Sequence, residues 1–311
     1  MDTELIARGD AVFAPLPQFG LLAVNGDDAR SFLHAQLSND VEHLPADVAR
    51  RAGYCTAKGR LLASFLVIPA GEGFLLQVAR DLVAPLAKRL TMYVLRSKVK
   101  VTDAGEAQSQ IGVWGRDARA KLIAAGFELP ALPMGVTRSK EMLVVALGAE
   151  RFLLLGTPAA TTALTPHFTE VPPQWWTLAE VREGLPSITL ATQDQFVPQM
   201  ANFELIGGVD FKKGCYPGQE IVARSQYLGK LKRRMYRGEV DAAASAPAEG
   251  QDVFAGEPQA IGTIVNVAPR PEGGYEFLAV LQSSAAEAGA PLHVGAPDGP
   301  VARIAPLPYA V

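Results

Sequence analysis

The chain has 311 residues, 49% hydrophobic and 20% charged, the profile of a soluble globular protein of two or three domains rather than a single core. Twenty-nine Lys and Arg against 32 Asp and Glu leave a formal charge of −3, without the basic excess of a general nucleic-acid binder, so direct nucleic-acid binding is not expected. Two distant cysteines, Cys55 and Cys215, and four scattered histidines form neither a disulfide framework nor a zinc motif, which points to a reducing cytoplasm and no metal site.

The N-terminus, Met1 to Arg8, lacks a basic segment leading into an apolar one, and no signal peptide is expected. Leu21 to Val24 reads as a buried strand. Asn25-Gly26-Asp27-Asp28 then gives turn and cap chemistry for a helix over Ala29 to Leu37, with Phe32, Leu33 and Leu37 on one face. Ala52 to Ile68 and Phe74 to Val78 flank Gly71-Glu72-Gly73 as an antiparallel pair. The same glycines and Pro69 break the most apolar window, Leu61 to Ala79, so it is a hairpin and no membrane span is expected. Asp81 is placed to cap a helix running to Arg96 that tolerates Pro85 in its first turn, and Lys98 to Val101 alternates as a strand.

That order then recurs. Ile111 to Trp114 is a strand, and Arg116 to Ala125 a helix closed by Gly126. Glu141 to Leu147 and Arg151 to Leu155 make a second hairpin, and Thr157-Pro158 opens another helix. The spacing therefore predicts a duplicated α+β unit. Trp175-Trp176 introduces a helix to Glu183 that Gly184 and Pro186 end. Past Gly229 a basic run, Lys230 to Arg237, reads as a solvated strand face, and Ala242 to Gly250 is a small-residue linker. Short strands such as Ile261 to Val267 and Tyr275 to Leu281, with no convincing helix, predict a small barrel.

The densest chemistry lies between Asp210 and Arg224, where a thiol, two lysines, an arginine, two carboxylates and a carboxamide share one short segment. Gly214, Pro217 and Gly218 specify a tight turn around Cys215. Pro217 suits the start of a helix with Glu220 in its first turn and Arg224 as its i,i+4 partner. A cysteine just ahead of a helix N-terminus and near Lys212 and Lys213 favours its thiolate, the usual route to a reactive sulfur. The competing reading is a Pro/Gly turn whose cysteine fills space. Cys55, between Tyr54 and Thr56 in a strand, reads as buried and inert.

Lys213-Gly214-Cys215-Tyr216-Pro217-Gly218-Gln219-Glu220 resembles the K-G-C-Y-x-G-Q-E signature of the YgfZ family of folate-binding proteins, relatives of the glycine cleavage T-protein (aminomethyltransferase). Gln36-Leu37-Ser38-Asn39-Asp40-Val41 is similar to the Q-x-T-N-D-V stretch of that superfamily, and Lys58-Gly59-Arg60-Leu61-Leu62 to the K-G-R-[IL]-L element of YgfZ. The resemblance implies an α+β, T-protein-like cloverleaf. Residues 1–228 would be the folate-binding region, with related subdomains at about 21–100 and 110–228, and residues 229–311 a C-terminal β-barrel. It implies tetrahydrofolate or a one-carbon derivative as ligand, beside the cysteine motif.

A pterin needs amides or carboxylates opposite its donor edge, and its glutamate tail needs Arg or Lys. Asn39, Asp40, Gln195, Gln199, Arg60 and Arg224 are candidates, with Phe196, Phe211 and Tyr216 as walls, although core packing is the commoner role for the two phenylalanines. Lys58, Gln219 and Glu220 join this set as members of the matched motifs, and Cys215 with Lys213 is the candidate reactive pair. The T-protein's Gly-Gly-x-x-Asp-Asp stretch falls on Gly59, Arg60, Ala63 and Ser64, so both its carboxylates are absent. Its pterin-holding Glu falls on Arg182, and Glu183 is the substitute if the alignment shifts by one residue. The resemblance thus implies an accessory protein for iron–sulfur client enzymes, tRNA-modifying ones among them, and not a glycine-cleavage aminomethyltransferase. The alternative is a one-carbon transferase with Cys215 as nucleophile toward formaldehyde or an aminomethyl group.

Overall fold

Short apolar runs cut by glycine turns favour strands over helices through most of the chain, and the computed structural model is accordingly rich in β-structure. It describes residues 4, 6, 8–162, 164, 166–227, 231–241, 246–289 and 291–311. Lys230 of the basic run and residues 242–245 of the expected linker lie outside the described residues. Two units are distinguished: Met1–Ala35, Asp40–Arg51 and Phe65–Trp176 in the first, and Gln36–Asn39, Ala52–Ser64 and Thr177–Val311 in the second. No helix among the described residues is long and apolar enough to cross a membrane.

The elements begin with β1 (Val12–Pro15), β2 (Phe19–Asn25), α1 (Ala29–Gln36), β3 (Arg50–Cys55), β4 (Leu61–Ala70) and β5 (Gly73–Ala79). A 3₁₀ turn, Arg80–Leu82, leads into α2 (Val83–Val94) and β6 (Lys100–Asp103). Then follow β7 (Ser109–Trp114), α3 (Ala118–Ala124), β8 (Val136–Ser139), β9 (Met142–Ala146), β10 (Arg151–Gly156), α4 (Pro158–Thr162) and β11 (Thr169–Glu170). The duplication is plain: strand, helix, three strands, helix, strand occurs twice. The sheet orders match as well, β3-β4-β5-β2-β6 against β8-β9-β10-β7-β1-β11.

They differ at one place. In the first sheet β6, which closes its own repeat, pairs with β2. In the second the corresponding place beside β7 is held by β1, antiparallel from Val12↔Trp114 to Pro15↔Ile111, and β11 adds outside β1 in parallel. Burial explains the exchange. β1 buries Val12, Phe13 and Ala14, each worth far more inside than the two exposed residues of β11. Phe13, Val113, Leu122, Val144 and Phe152 then form one core. Trp176 lies against Gly112, where an added Cβ would stand 2.2 Å from the indole, and edge-on to Trp114 with ring centroids 5.4 Å apart.

The second unit takes up most of α5 (Gln174–Arg182), a 3₁₀ turn Pro198–Ala201, and α6 (Gln219–Tyr227). Its C-terminal part is β12 (Arg233–Val240), β13 (Asp252–Phe254), β14 (Gly262–Pro269), β15 (Tyr275–Gln282), α7 (Ser283–Glu287), β16 (Leu292–Val294) and β17 (Val301–Ala305). These six strands close into a barrel in the order β12-β15-β14-β13-β16-β17, filled by Val253, Ile264, Phe277, Ala279 and Leu292. The barrel was legible from its strand spacing.

Four local expectations are corrected. Ala52 to Ile68 is not one strand, because Thr56 to Arg60 form a hydrogen-bonded turn between β3 and β4. Asp81 does not cap α2: it lies inside the 3₁₀ turn, and the cap position is Leu82, with no side-chain bond. The barrel region does contain a helix, the five-residue α7, too short to show helical periodicity. The basic strand is not simply solvated. Arg234 pairs with Glu204, and Arg237 and Arg182 both reach Glu276, which is 3% exposed, at 3.3 and 2.7 Å.

Candidate functional site

The site is built on two glycines. In the β3–β4 turn Gly59 donates to the Thr56 carbonyl at 2.9 Å, Thr56 donates to the Arg60 carbonyl at 2.8 Å, and Gly59 takes φ +71°. Gly218, at φ +81° ahead of α6, meets this turn: a Cβ on it would lie 2.3 Å from the Thr56 carbonyl oxygen and 2.6 Å from Gly59 Cα. A Cβ on Gly59 would in turn lie 2.9 Å from Ile221. Two backbones touch here, which only glycine permits. The Lys58-Gly59-Arg60 and Cys215 motifs, 155 residues apart between Gly59 and Gly214, are therefore seated on one another.

Further bonds fix the surrounding segments. Ser38 is a hub: its hydroxyl donates to the Gly208 carbonyl at 2.6 Å and accepts from Gly53 N–H at 2.7 Å, while its carbonyl accepts from Asp210 N–H at 3.0 Å. Asn39 donates to the Gly207 carbonyl at 2.6 Å. Leu61 N–H donates to the Phe196 carbonyl at 2.7 Å, Asp194 N–H to the Leu61 carbonyl at 2.8 Å, and the exposed Arg60 to the Asp194 carbonyl at 3.1 Å. The Gln199 amide nitrogen donates to the Val222 carbonyl of α6 at 2.7 Å, leaving its Oε1 buried with no hydrogen-bond partner.

Within the motif Cys215 is exposed, and its neighbours anchor it. Lys213 is buried; its ammonium donates to the Leu37 carbonyl at 2.6 Å and stands 4.9 Å from the centre of the Tyr216 ring. Tyr216 is buried, and burial first, then neighbouring Cys55, holds its phenol above the ordinary range. Burial likewise pushes the Cys55 thiol up to about 12, so this cysteine is a neutral core residue, as the sequence predicts. Phe196 is core, as expected, and Phe211 lies edge-on to Tyr227 with centroids 6.0 Å apart. The Gln219 side chain reaches the Lys213 carbonyl at 3.5 Å, and Gln195 donates to the Ala191 carbonyl at 2.7 Å. Lys58, Lys212, Glu220 and Arg224 are exposed, and no ion pair joins Glu220 to Arg224 although they lie one turn apart on α6.

The positions where the T-protein carries carboxylates do structural work. Ala63 is fully buried, and the Ser64 hydroxyl accepts from Ile188 N–H at 2.9 Å. Arg182 is held in a two-bond contact by Glu276 Oε1 at 2.9 and 2.7 Å. The hub role of Ser38 was missed, since nothing in a run of six residues marks which hydroxyl will bridge three segments. The Gly59–Gly218 contact is not visible in the sequence either, because Gly218 reads only as a local turn residue and Gly59 falls inside the strand expected over Ala52 to Ile68.

Asp40 belongs to the other unit. Its carboxylate sits 3.0 Å from His34 Nδ1 and 2.9 Å from His43 Nδ1, and accepts from His43 N–H at 3.1 Å. Burial raises its pKa, but the His43 backbone and imidazole and the His34 ring outweigh that and lower it from the ordinary 3.8 to about 2. A depressed carboxylate stabilises the fold above its unfolded value and loses that contribution as pH falls toward the folded one. Asp40→Asn is therefore expected to remove roughly 1–2 kcal/mol of stability at neutral pH and to flatten the loss of melting temperature between about pH 4 and pH 2. Parallel melting curves of the two proteins across that window would contradict it.

No family model matches the chain. It is 32% identical to the tRNA-modifying protein YgfZ of Serratia proteamaculans (strain 568) over 305 residues, covering 95% of this chain and 92% of the relative. With the tRNA-modifying protein YgfZ of Escherichia coli (strain SMS-3-5 / SECEC) it shares 30% over 314 residues, 98% of this chain and 95% of the relative. The crystal structure of the glycine cleavage system aminomethyltransferase T from Bartonella henselae superposes with a TM-score of 0.80 at 16% identity, covering 99% of this chain and 88% of that one. The fold is thus the T-protein fold, with two related α+β subdomains and a C-terminal β-barrel. Identity of about a third sustained over nearly the whole length settles the narrower kinship: the chain belongs to the family of the tRNA-modifying protein YgfZ.

Proposed function

We propose that this protein is a tetrahydrofolate-binding accessory factor in tRNA modification, acting in the cytoplasm, which uses Cys215 in support of iron–sulfur client enzymes that carry the modification out. Its relatives' name supplies the link to tRNA modification. The observation that carries the rest is the exposed Cys215 thiol on a turn clamped by the Gly59–Gly218 contact, while the second cysteine is buried and inert. Residues 1–228 serve as the folate-binding region and 229–311 as the barrel domain in this reading.

The side chains present fit a reduced folate. Lys58, Arg60 and Arg224 are exposed cations suited to the carboxylates of a glutamate tail. The buried, unpartnered Oε1 of Gln199 is an acceptor left over in the same assembly, of the kind a pterin amine satisfies. Gln195, Gln219 and Glu220 supply further polar groups. Asn39, Lys213 and Tyr216 are already engaged in internal contacts, and they position the turn. The alternative, a one-carbon transferase with Cys215 as nucleophile, uses the same thiol. The buried Ala63 and the committed Ser64 leave aminomethyl transfer without the T-protein's acid.

Tetrahydrofolate at ten times its dissociation constant is expected to add about 1.4 kcal/mol to stability, read as a rise in melting temperature. An unmoved melting curve at millimolar tetrahydrofolate would refute the ligand. Turnover of an aminomethyl-lipoyl carrier at a T-protein's rate would favour the transferase.

A further inference from the structure

One end of the barrel carries a cavity of about 690 Å³, lined by the start of β12, the end of β15 and α7. That volume lies within the range of small-molecule sites. In the ladder Arg233 stands directly opposite Gln282, and Ser283 N–H bonds the Lys232 carbonyl at 3.0 Å. Arg233 at the start of β12, Lys232 just before it, and the polar side chains of Gln282, Ser283 and Ser284 therefore share one mouth. The neighbouring arginines of β12 are spoken for, Arg234 by Glu204 and the Gln199 carbonyl, Arg237 by Glu276. Among the described residues Lys232 and Arg233 pair with no carboxylate. The lining holds one acidic side chain, Glu287, together with Val311.

Two further features point to a ligand rather than to solvent alone. The Ser283 hydroxyl is buried and has no hydrogen-bond partner, an unmet polar group that a native fold rarely leaves without use. Tyr236, half-buried, packs against the barrel core and also lines the cavity, offering an aromatic wall beside the cations. Cations, hydroxyls and a ring face together suit a phosphate with a base or other flat group attached.

We propose that this cavity is a second binding site, for a phosphate-bearing ligand of nucleotide size, held by Lys232 and Arg233 at its phosphate, by Ser283 as an additional donor and by Tyr236 at its ring. A free nucleotide and a nucleotide of an RNA chain present the same chemistry. The site shares no lining residue with the Cys215 turn and stands or falls separately from the folate reading.

Calorimetric titration of the full chain with AMP, adenosine and a short oligouridine tests it. AMP is expected to bind at least about tenfold more tightly than adenosine, because the phosphate supplies the charge-assisted bonds. Lys232→Ala and Arg233→Ala should each weaken AMP binding by roughly three- to tenfold, with melting temperatures unchanged because both side chains reach solvent. Ser283→Ala should weaken it by about threefold, and Cys215→Ser not at all. If RNA is the source, oligouridine binds more tightly than AMP and loses affinity with salt at a slope of about −1.4 for two phosphates, a slope the double variant Lys232→Ala/Arg233→Ala abolishes. Equal binding of AMP and adenosine, no binding of either phosphate probe at millimolar concentration, or unchanged affinity in the double variant would overturn the proposal.

Discussion

Gly218→Ala is expected to unseat the cysteine motif and to cost roughly 2–5 kcal/mol of stability. About 1–2 kcal/mol comes from holding a side chain at φ +81°, and about 1–3 from driving apart two backbones already in contact. The methyl would lie 2.3 Å from the Thr56 carbonyl oxygen and 2.6 Å from Gly59 Cα, and neither atom belongs to a flexible side chain that can swing aside. Gly256→Ala is the matched control. Its φ is +83°, nearly the same strain, yet nothing lies within 4 Å of the added methyl. Denaturant melts should show the control losing about 1 kcal/mol and Gly218→Ala several times that. Equal losses would mean that the two motifs are not seated on one another as described.

Cys215→Ser is expected to do the opposite, leaving stability within about 0.5 kcal/mol of the parent because the side chain is exposed, while abolishing support of iron–sulfur enzyme activity in cells. A serine hydroxyl has neither the acidity nor the softness of a thiol, so isosteric replacement isolates the sulfur. Complementation of a strain lacking the gene, scored by the activity of a tRNA-thiolating enzyme, reads this out. Full activity in the variant would make Cys215 a space-filling residue. Lys213→Ala is not a clean loss of charge: it removes the donor to the buried Leu37 carbonyl and the cation over Tyr216, so it should lower stability as well as function.

The duplicated α+β order and the barrel were legible because they rest on local pattern: strand-length apolar runs, glycine turns, and helix starts such as Thr157-Pro158, where the Thr157 hydroxyl does accept from Ala160 N–H at 3.3 Å. Cys55 as a buried residue and Cys215 on an exposed turn before a helix were legible for the same reason. What was not legible depends on pairing across the chain. The exchange of β1 for the second repeat's closing strand is decided by which strand buries more, and no local window holds that comparison. The Thr56 to Arg60 turn reads as strand in the sequence because its flanks are apolar, and its identity emerges only where Gly59 meets Gly218. Lys213 read as a charge beside a thiol, yet its ammonium is spent on a carbonyl 176 positions away.

A reduced folate bound beside the Cys215 turn would shield the sulfur, and alkylation kinetics read that shielding. With iodoacetamide at neutral pH, Cys215 is expected to be labelled well before the buried Cys55, whose thiol is held at a pKa of about 12. Saturating tetrahydrofolate should then slow labelling of Cys215 by at least about fivefold and leave Cys55 unlabelled, as bound ligand restricts access to the sulfur. An unchanged Cys215 rate at a tetrahydrofolate concentration that demonstrably shifts the melting temperature would place the ligand away from the Cys215 turn.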